Sequence, residues 1–195
     1  MYKTFFKRGL DLILSLIAFV LLLPVFVVIT IFIRLDSKGP ALFKQKRIGL
    51  NKDTFYIYKF RTMKADTPKD TPTHLLKNPN SHITKVGEFL RQTSLDELPQ
   101  LYNIIKGDMS IVGPRPALWN QDDLVAERDK YKANNVKPGL TGWAQINGRD
   151  ELPIPKKAFL DGVYVKNLSL AMDITCIIKT IEAVITKAGI SEGTS

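Results

Sequence analysis

An uncharged apolar stretch near the N-terminus constrains this chain more than any other feature. The 22 residues from Leu12 to Ile33 include no charged side chain, and a helix of that length can cross a hydrocarbon layer about 30 Å thick. The stretch is too long for the apolar part of a cleaved signal peptide, and no small-residue cleavage site follows it. Few helices of soluble proteins are apolar on all sides. The stretch therefore predicts a membrane helix.

A proline and two basic flanks predict that this helix bends. Pro24 lies near the middle of the stretch, where proline removes a backbone hydrogen bond and kinks a helix. Positive charge normally marks the cytoplasmic side of a membrane segment. Because both flanks of the stretch are basic, the pattern favours a re-entrant helix that leaves on the face where it entered. A spanning helix is the alternative. The basic residues are Lys3, Lys7 and Arg8 before the stretch and Arg34, Lys38, Lys44, Lys46 and Arg47 after it.

The net charge of +9 is confined to the region around this stretch. Residues 1–64 contain 12 Lys and Arg but three Asp and Glu, whereas the remainder contains 16 of each. Basic residues beside an apolar anchor suit an anionic leaflet, at about 1 kcal/mol each, although a solvated basic surface has the same composition. Because the charge surrounds a membrane segment, we do not expect a nucleic-acid partner. Cys176 is the single cysteine, which excludes an internal disulfide.

The chain as a whole predicts a mainly helical α+β fold, with residues 1–36 as the membrane anchor and residues 37–195 as one catalytic domain. Alternating residues predict strands, helical spacing predicts helices, and polar runs predict loops. These signals predict a strand over Phe55–Phe60, a surface loop over Ala65–Ser81, a short helix over Ile83–Leu90, and a last helix that starts at Asp173 and stops at Gly189.

Asp96 and Glu97 are candidate catalytic residues. Ser94 and Glu97 have the spacing of a capping box, which predicts a helix from Ser94 towards Lys106 that is distorted by Pro99. Both carboxylates would then lie in the first turn, where the helix dipole favours the ionised form. An ionised aspartate can bind Mg²⁺ or attack phosphorus. Acidic residues are also ordinary in a first helical turn, so the pair does not decide the function by itself.

Several basic side chains could bind a phosphate. Arg115 lies between two prolines, which hold its backbone stiff, and arginine binds phosphate through two parallel hydrogen bonds. Lys59 and Arg61 share a strand face and could form either an anion site or a solvated edge. Arg91 precedes Asp96 by five residues and could turn towards it. The sequence has neither a Walker-type loop nor a G-x-G-x-x-G motif, and two His and one Cys cannot form a metal cluster.

Six segments, in this order and spacing, resemble the bacterial sugar transferase family, whose members are monotopic phosphoglycosyl transferases. The resemblance extends over nearly the whole chain. The segments are Lys59-Phe60-Arg61-Thr62-Met63, Ser94-Leu95-Asp96-Glu97-Leu98-Pro99-Gln100, Lys106-Gly107-Asp108-Met109-Ser110, Gly113-Pro114-Arg115-Pro116, Pro138-Gly139-Leu140-Thr141-Gly142 and Gln145-Ile146-Asn147-Gly148-Arg149.

The resemblance implies a monotopic membrane protein. A re-entrant helix broken at Pro24 and amphipathic helices in the membrane interface would place the active site on the cytoplasmic face of the bacterial inner membrane. Some members have Ser before this proline, whereas this chain has Leu23, so a polar group that could bond freed carbonyls is missing. Larger members carry additional N-terminal helices and a further domain, and this chain looks like the minimal catalytic form.

The resemblance also implies a reaction. Asp96 would attack the β-phosphorus of a UDP-sugar and expel UMP, and polyprenyl (undecaprenyl) phosphate would take the sugar phosphate from the aspartate. This step initiates glycoconjugates such as capsule or O-antigen. Mg²⁺ is expected on Asp96, with Glu97 positioning the metal or the nucleophile. Arg115 is expected to bind the nucleotide.

Four further residues match the family pattern, and we expect them to bind substrate, with a structural role as the alternative. They are Lys59, Arg91, Arg149 and Asp173.

Two other functions fit the same residues. One is a membrane-anchored, Mg²⁺-dependent phosphohydrolase that uses the same aspartate but passes the phosphoryl group to water. The other is a non-catalytic anchor that recruits glycan-assembly partners through its basic surface. The sugar, the glycan pathway and the oligomeric state are not specified by the sequence.

The re-entrant helix makes a topology prediction. In a chain without Cys176, single cysteines at positions 3 and 60 should both react only with a reagent that reaches the cytoplasm, because both ends of a re-entrant helix lie on one side. Labelling of position 3 from the outside alone would favour a spanning helix instead.

Overall fold

The computed structural model describes residues 2, 6–68, 79–148 and 152–186, with only the backbone of residues 79 and 80. It has the mainly helical α+β composition that the sequence predicts. In chain order, the elements are α1 (Lys7–Leu21), α2 (Leu23–Asp36), β1 (Leu42–Ile48), β2 (Thr54–Phe60), α3 (Pro79–His82), α4 (Lys85–Gln92), α5 (Gln100–Lys106), β3 (Ser110–Val112), α6 (Asp122–Asp129), β4 (Gly139–Thr141), α7 (Trp143–Ile146), α8 (Ile154–Lys166) and α9 (Leu170–Ile185), with 3₁₀ turns at Leu50–Lys52, Leu95–Glu97 and Ala133–Asn135.

The apolar stretch forms two helices that meet at a sharp bend. α1 ends at Leu21, Leu22 leaves the helical region with ψ near 0°, and Pro24 is the second residue of α2. The two axes differ by 59°. The predicted break at Pro24 is therefore confirmed. Across the described ranges, no one helix combines the length and apolar character of a membrane span, and α1 and α2 reach them only as a bent pair.

Both helices bury one side against the rest of the chain and leave the other side uncovered. Phe19 of α1 packs beside Leu101 and Ile104, and Ile33 of α2 packs beside Phe60 and Leu90. Large exposed apolar areas on a protein usually mark a contact with a membrane or partner. The exposed apolar side chains of α1 and α2 include Ile13, Leu14, Ile17, Val20, Leu21, Val27, Val28, Ile31, Phe32 and Leu35.

A buried aspartate fixes α1 to the domain. Asp11 precedes the uncharged stretch and is almost fully buried. Its carboxylate accepts hydrogen bonds from Ser110 Oγ at 2.7 Å and from the Ile111 N–H at 3.2 Å. A buried carboxylate needs such donors, so Asp11 specifies where α1 lies along β3.

The predicted strand is confirmed as β2, one residue longer at its start, and its partner β1 was not predicted. The two strands are antiparallel, with Lys59 opposite Phe43.

Asn103 of α5 bonds the other edge of β2, accepting from the Tyr58 N–H at 3.0 Å and donating to the Tyr56 carbonyl at 2.8 Å. Phe60 is buried, whereas Tyr56 on the same strand is exposed. In the cysteine-labelling experiment on topology, a cysteine at position 56 is therefore more accessible to the reagent than one at position 60. β3 and β4 form a separate parallel pair.

The predicted capping box at Ser94 is wrong. Ser94 has a left-handed backbone with φ of 56°, and its side chain caps no helix. Its N–H donates to the Arg91 carbonyl and thereby closes the end of α4. An N-cap needs an extended backbone, which this residue cannot have while it terminates the preceding helix. As predicted, Pro99 interrupts the helix: a 3₁₀ turn carries Asp96 and Glu97, and α5 begins only after Pro99.

The helix predicted from Ile83 begins two residues later, as α4. Thr84 is its N-cap and accepts from the Gly87 N–H at 3.0 Å. The loop predicted over Ala65–Ser81 also ends early, because Pro79–His82 forms a helical turn.

The last helix, α9, starts at Leu170 rather than at Asp173. Ser169 caps it by accepting from the Met172 N–H at 3.3 Å, and Asp173 falls in the first turn. The predicted stop at Gly189 lies outside the described residues.

Arg61 forms neither of the two predicted structures, an anion site with Lys59 or a solvated edge. The strand ends one residue before it, and its buried guanidinium turns to the C-terminal end of α2. It donates to the carbonyls of Ser37 and Lys38, both at 2.7 Å, and to that of Ile33 at 3.4 Å. Arg61 thereby supplies donors to the carbonyls that directly follow α2, where the chain has left the helix and its regular hydrogen bonds have ended.

This cap predicts a stability effect. Arg61→Met should lower the free energy of unfolding by about 2–4 kcal/mol, because the partly buried carbonyls of Ser37 and Lys38, just after α2, lose a charged donor. Thermal or denaturant unfolding of the purified protein in detergent would measure the loss. The exposed Lys64 provides the control, since Lys64→Ala should stay within about 0.5 kcal/mol of the wild type. Equal effects of the two substitutions would contradict the assignment.

Candidate active site

The turn at Leu95–Glu97 and the strand β2 bring opposite charges together. Lys59 Nζ lies 2.6 Å from Glu97 Oε1 and 3.7 Å from Asp96 Oδ2. The two carboxylate side chains are only 12% and 17% exposed, respectively for Asp96 and Glu97. The structure thus brings together three of the residues that the sequence proposed for the site, namely Asp96, Glu97 and Lys59.

Arg115 completes this cluster from the segment that follows β3. Its Nη2 lies 3.1 Å from the same Glu97 Oε1 that Lys59 contacts, and its side chain is 37% exposed. Gly113 starts the segment against the Lys137 carbonyl, which a Cβ atom at Gly113 would meet at 2.4 Å. The Arg115 guanidinium thus bonds Glu97 through one nitrogen and is still accessible to an incoming ligand.

The two cations determine the charge of Glu97. Burial by itself would raise the pKa of Glu97, but Lys59 and Arg115 outweigh it, through their charges and their hydrogen bonds, and hold the pKa well below its usual range. Glu97 therefore stays ionised at neutral pH.

Asp96 has the opposite shift. Burial is the largest influence and raises its pKa; the charge of Lys59 opposes the rise, and the negative charge of Glu97 adds to it. Arg91 and Arg115 lower the pKa by smaller amounts. A carboxylate pair whose members shift in opposite directions is typical of sites with divided chemical roles.

Arg91 lies beside this cluster. Its Nε donates to Thr62 Oγ1 at 2.9 Å, and its charge acts on Asp96. The sequence suggested that Arg91 could turn towards Asp96, and the influence of its charge on the Asp96 pKa agrees with this suggestion.

The charged cluster borders a cleft, which is lined by Arg47, Ile57, Lys59, Glu97, Gln100, Arg115 and Pro116. Two polar residues of this cleft were not among the sequence candidates. Gln100 is buried, lines the cleft, and its Nε2 has no hydrogen-bond partner in the part of the chain that the structure describes. Arg47 reaches the cleft from β1 and donates to the Pro116 carbonyl at 3.0 Å. Gln100 follows Asp96 by one helical turn, a spacing that could have indicated it. Arg47 could not be found without the strand pairing.

The structure places Asp173 in a different cluster. Its carboxylate is buried and bonds Lys7 Nζ and the Tyr2 hydroxyl, both at 2.6 Å, and the Tyr164 hydroxyl at 2.8 Å. None of these partners contacts Asp96 or Glu97. The arrangement favours the structural role for Asp173, because it joins α9 to the start of α1. Arg149 lies outside the described residues, and its role stays a prediction.

The residues at the cleft fit a magnesium ion that arrives with a phosphate ligand. Over the described ranges, no group of three or more Cys, His, Asp and Glu could hold a metal without other ligands. Mg²⁺ is usually held by one or two carboxylates, water and substrate phosphates. Asp96 suits this role. Its carboxylate is buried and its nearest cation, Lys59 Nζ, is 3.7 Å away, so a bound metal ion would supply the close positive charge that the ionised form lacks.

The sequence profile of the bacterial sugar transferases matches residues 2–187. This chain belongs to that family.

Several proteins are similar to the chain. It is 43% identical over 160 residues to the uncharacterized sugar transferase EpsL of Bacillus subtilis, covering 82% of this chain and 77% of EpsL. It is 38% identical over 188 residues to the UDP-glucose:undecaprenyl-phosphate glucose-1-phosphate transferase of Escherichia coli, covering 90% of this chain and 39% of that protein. It is 36% identical over 193 residues to the UDP-N-acetylgalactosamine-undecaprenyl-phosphate N-acetylgalactosaminephosphotransferase of Aeromonas hydrophila, covering 95% and 45%. The chain thus spans less than half the length of the latter two.

The opposite pKa shifts of the carboxylate pair predict opposite stability effects at neutral pH. Asp96→Asn should raise the free energy of unfolding by about 1–2 kcal/mol, because the folded protein no longer buries an unfavourable charge. Glu97→Gln should lower it by a similar amount, about 1–2 kcal/mol, because two cations lose their anion.

The Asp96 difference should disappear in acid, whereas the Glu97 difference should only begin to shrink below about pH 4.3, and unfolding curves between pH 3 and pH 8 would measure both. The raised pKa of Asp96 makes its cost present above that pKa and absent below its unfolded value of about 4. The lowered pKa of Glu97 makes its contribution present above its unfolded value of about 4.3 and lost as the pH falls towards the folded pKa. Shifts of the same sign for the two variants at pH 7 would contradict the assigned charges.

Proposed function

We propose that this protein is a membrane-bound phosphoglycosyl transferase, which moves a sugar 1-phosphate from a UDP-sugar to polyprenyl phosphate and releases UMP. One observation carries the proposal: buried Asp96 lies beside a carboxylate that two cations, Lys59 and Arg115, hold ionised. The names of the Escherichia coli and Aeromonas hydrophila relatives, which specify undecaprenyl phosphate and UDP-sugars, support it.

The charge of the cleft suits a diphosphate. Arg47, Lys59 and Arg115 line it, and Glu97 is its ionised carboxylate. Phosphoryl-type transfer depends mainly on positioning and charge neutralisation. Lys59 and Arg115 provide positive charge for the phosphates, and the buried amide of Gln100 provides a neutral donor that lacks an acceptor in the described structure. Glu97 holds Lys59 and Arg115 in place when no substrate is bound.

The reaction divides into two displacements on one phosphorus atom. A carboxylate oxygen of Asp96 forms a bond to the β-phosphorus of the donor, and the bond from that phosphorus to the bridging oxygen breaks, so UMP leaves with the electron pair. An oxygen of polyprenyl phosphate then attacks the same phosphorus, and the bond to Asp96 breaks. The products are a polyprenyl diphosphate sugar and the restored carboxylate, as in other covalent catalysis.

Attack requires the ionised form of Asp96, which burial disfavours. When Mg²⁺ is bound, with Asp96 as its protein ligand, it supplies positive charge that neutralises the diphosphate and stabilises the carboxylate. The positive charges of Lys59, Arg91 and Arg115 act in the same direction.

A lipid acceptor requires that the cleft lie near the bilayer surface. The uncovered apolar sides of α1 and α2 and their 59° bend support a re-entrant anchor. α9 supports a second contact, since its exposed apolar residues recur every three or four positions along one side. We place this anchor in the bacterial inner membrane with the cleft on the cytoplasmic face. The exposed residues of α9 are Leu170, Ile174, Ile178, Ile181 and Ile185.

The covalent step is testable by trapping. With Mg²⁺ and a panel of UDP-sugars, the purified protein should release UMP and, without polyprenyl phosphate, accumulate a sugar-phosphate adduct visible by mass spectrometry. Asp96→Asn should abolish the adduct and lower UMP release at least about 10³-fold, because the nucleophile is gone. The matched control is Asp122→Asn, which changes an exposed carboxylate on α6 and should leave both readings unchanged.

Three outcomes would redirect the proposal. An adduct that still forms on Asp96→Asn would exclude Asp96 as the nucleophile. UMP release with free sugar phosphate as the product, whether or not the lipid is present, would identify a phosphohydrolase. An absence of UMP release across the whole donor panel would exclude the transferase and favour a non-catalytic anchor.

A further inference from the structure

The backbone that carries Arg115 is held in place by side chains from other elements. Prolines on both sides of Arg115 have no N–H, so the segment has few donors with which to fix itself. Its carbonyls instead accept hydrogen bonds. The Arg115 carbonyl accepts from Arg128 Nη2 at 3.0 Å, and the Pro116 carbonyl accepts from Arg47 Nη1 at 3.0 Å.

Arg128 does not reach the carboxylates of the active site itself. It lies in the last turn of α6, and its side chain is 5% exposed. Its Nη2 and Nε lie 2.6 Å and 2.8 Å from Oδ2 of Asp161, a residue of α8 whose side chain is 1% exposed. The pair therefore connects two packed helices to the backbone of Arg115.

A buried ion pair is an inefficient way to stabilise a protein. Both charges lose their hydration, and apolar side chains of similar volume often stabilise the fold as well or better. An arginine does provide direction, because its planar group can donate several hydrogen bonds at fixed angles. Here a single nitrogen of Arg128 contacts both Asp161 and the Arg115 carbonyl. The geometry thus suits positioning better than stabilisation.

We propose that Arg128 and Asp161 are a positioning pair that sets where the Arg115 guanidinium lies relative to Glu97, and thereby the affinity for the diphosphate of the nucleotide-sugar donor. The inference rests on the proposed function, in which Arg115 binds that donor. Neither residue of the pair contacts the substrate. They act through the backbone carbonyl of Arg115, 13 residues before Arg128 in the chain.

The informative variant removes both charges at once. Arg128→Met combined with Asp161→Leu keeps the buried volume and should keep the fold, since no unpaired charge is left behind, while the Arg115 carbonyl loses its donor. The matched control is Lys130→Met combined with Glu127→Gln, which removes an ion pair of 2.6 Å at the surface of the same helix.

The expected result is a change in donor affinity that depends on Arg115. The double variant should raise the KM for the UDP-sugar about tenfold and leave kcat within about threefold, as expected for lost binding rather than lost chemistry. In an Arg115→Ala background, the same double substitution should change KM less than about twofold, because residues that act through one another are not additive. The control pair should change KM in neither background.

Two results would overturn the inference. One is an equal increase in KM with and without Arg115, since the pair would then act by another route. The other is a wild-type KM in a double variant that unfolds at the wild-type temperature. If the double variant fails to fold, Arg128→Lys serves in the same cycle, because a lysine keeps the charge near Asp161 but lacks the planar group that also reaches the Arg115 carbonyl.

Binding of inorganic pyrophosphate, measured by calorimetry on the same set of variants, separates this inference from the proposed function. Arg115-dependent coupling in pyrophosphate binding, without UMP release from any UDP-sugar, would support the positioning pair and reject the transferase. Binding of pyrophosphate without coupling would overturn the positioning pair. A wild-type protein that binds neither pyrophosphate nor UDP-sugars through Arg115 would overturn both.

Discussion

The active site depends on one shared anion. Lys59 from the strand β2 and Arg115 from the segment after β3 both contact Glu97 Oε1. A single oxygen therefore holds together two parts of the fold that are distant in the chain. Burial opposes the ionisation of Glu97 and the two cations favour it, and the cations outweigh burial, so the pKa of Glu97 is lowered and the carboxylate is ionised. Asp96, one residue away, has one weaker cationic contact and the opposite balance. Adjacent carboxylates thereby acquire different chemistry from different surroundings.

The elements around this anion are themselves fixed by buried polar contacts. Arg61 binds the end of α2, Asn103 completes the edge of β2, and Asp11 holds α1 against β3. Each contact gives a hydrogen-bond partner to backbone or side-chain groups that are at least partly buried. The bent apolar helices are thus attached to the same core that presents the carboxylates.

Sequence reasoning succeeded where the signal is local and failed where a contact decides. The break at Pro24 and the strand at Phe55–Phe60 follow from steric and periodic rules that act within a few residues. The capping box at Ser94 satisfied the same kind of rule but is wrong, since closing α4 forces a left-handed backbone there. Arg61 matched the family pattern beside Lys59, yet its guanidinium lies at a helix end that no local pattern could reveal.

By itself, the sequence determined the uncharged apolar stretch and its bend and the membership in the sugar transferase family, and it proposed Asp96, Glu97, Lys59 and Arg115 as site residues. Only the tertiary structure decided which charges meet. It separated Asp173 from the dyad, added Gln100 and Arg47 to the cleft, and connected Arg128 to Arg115. The physical reason is that charge and hydrogen-bond energies depend on distances and burial between segments far apart in the chain, and a linear pattern does not specify these.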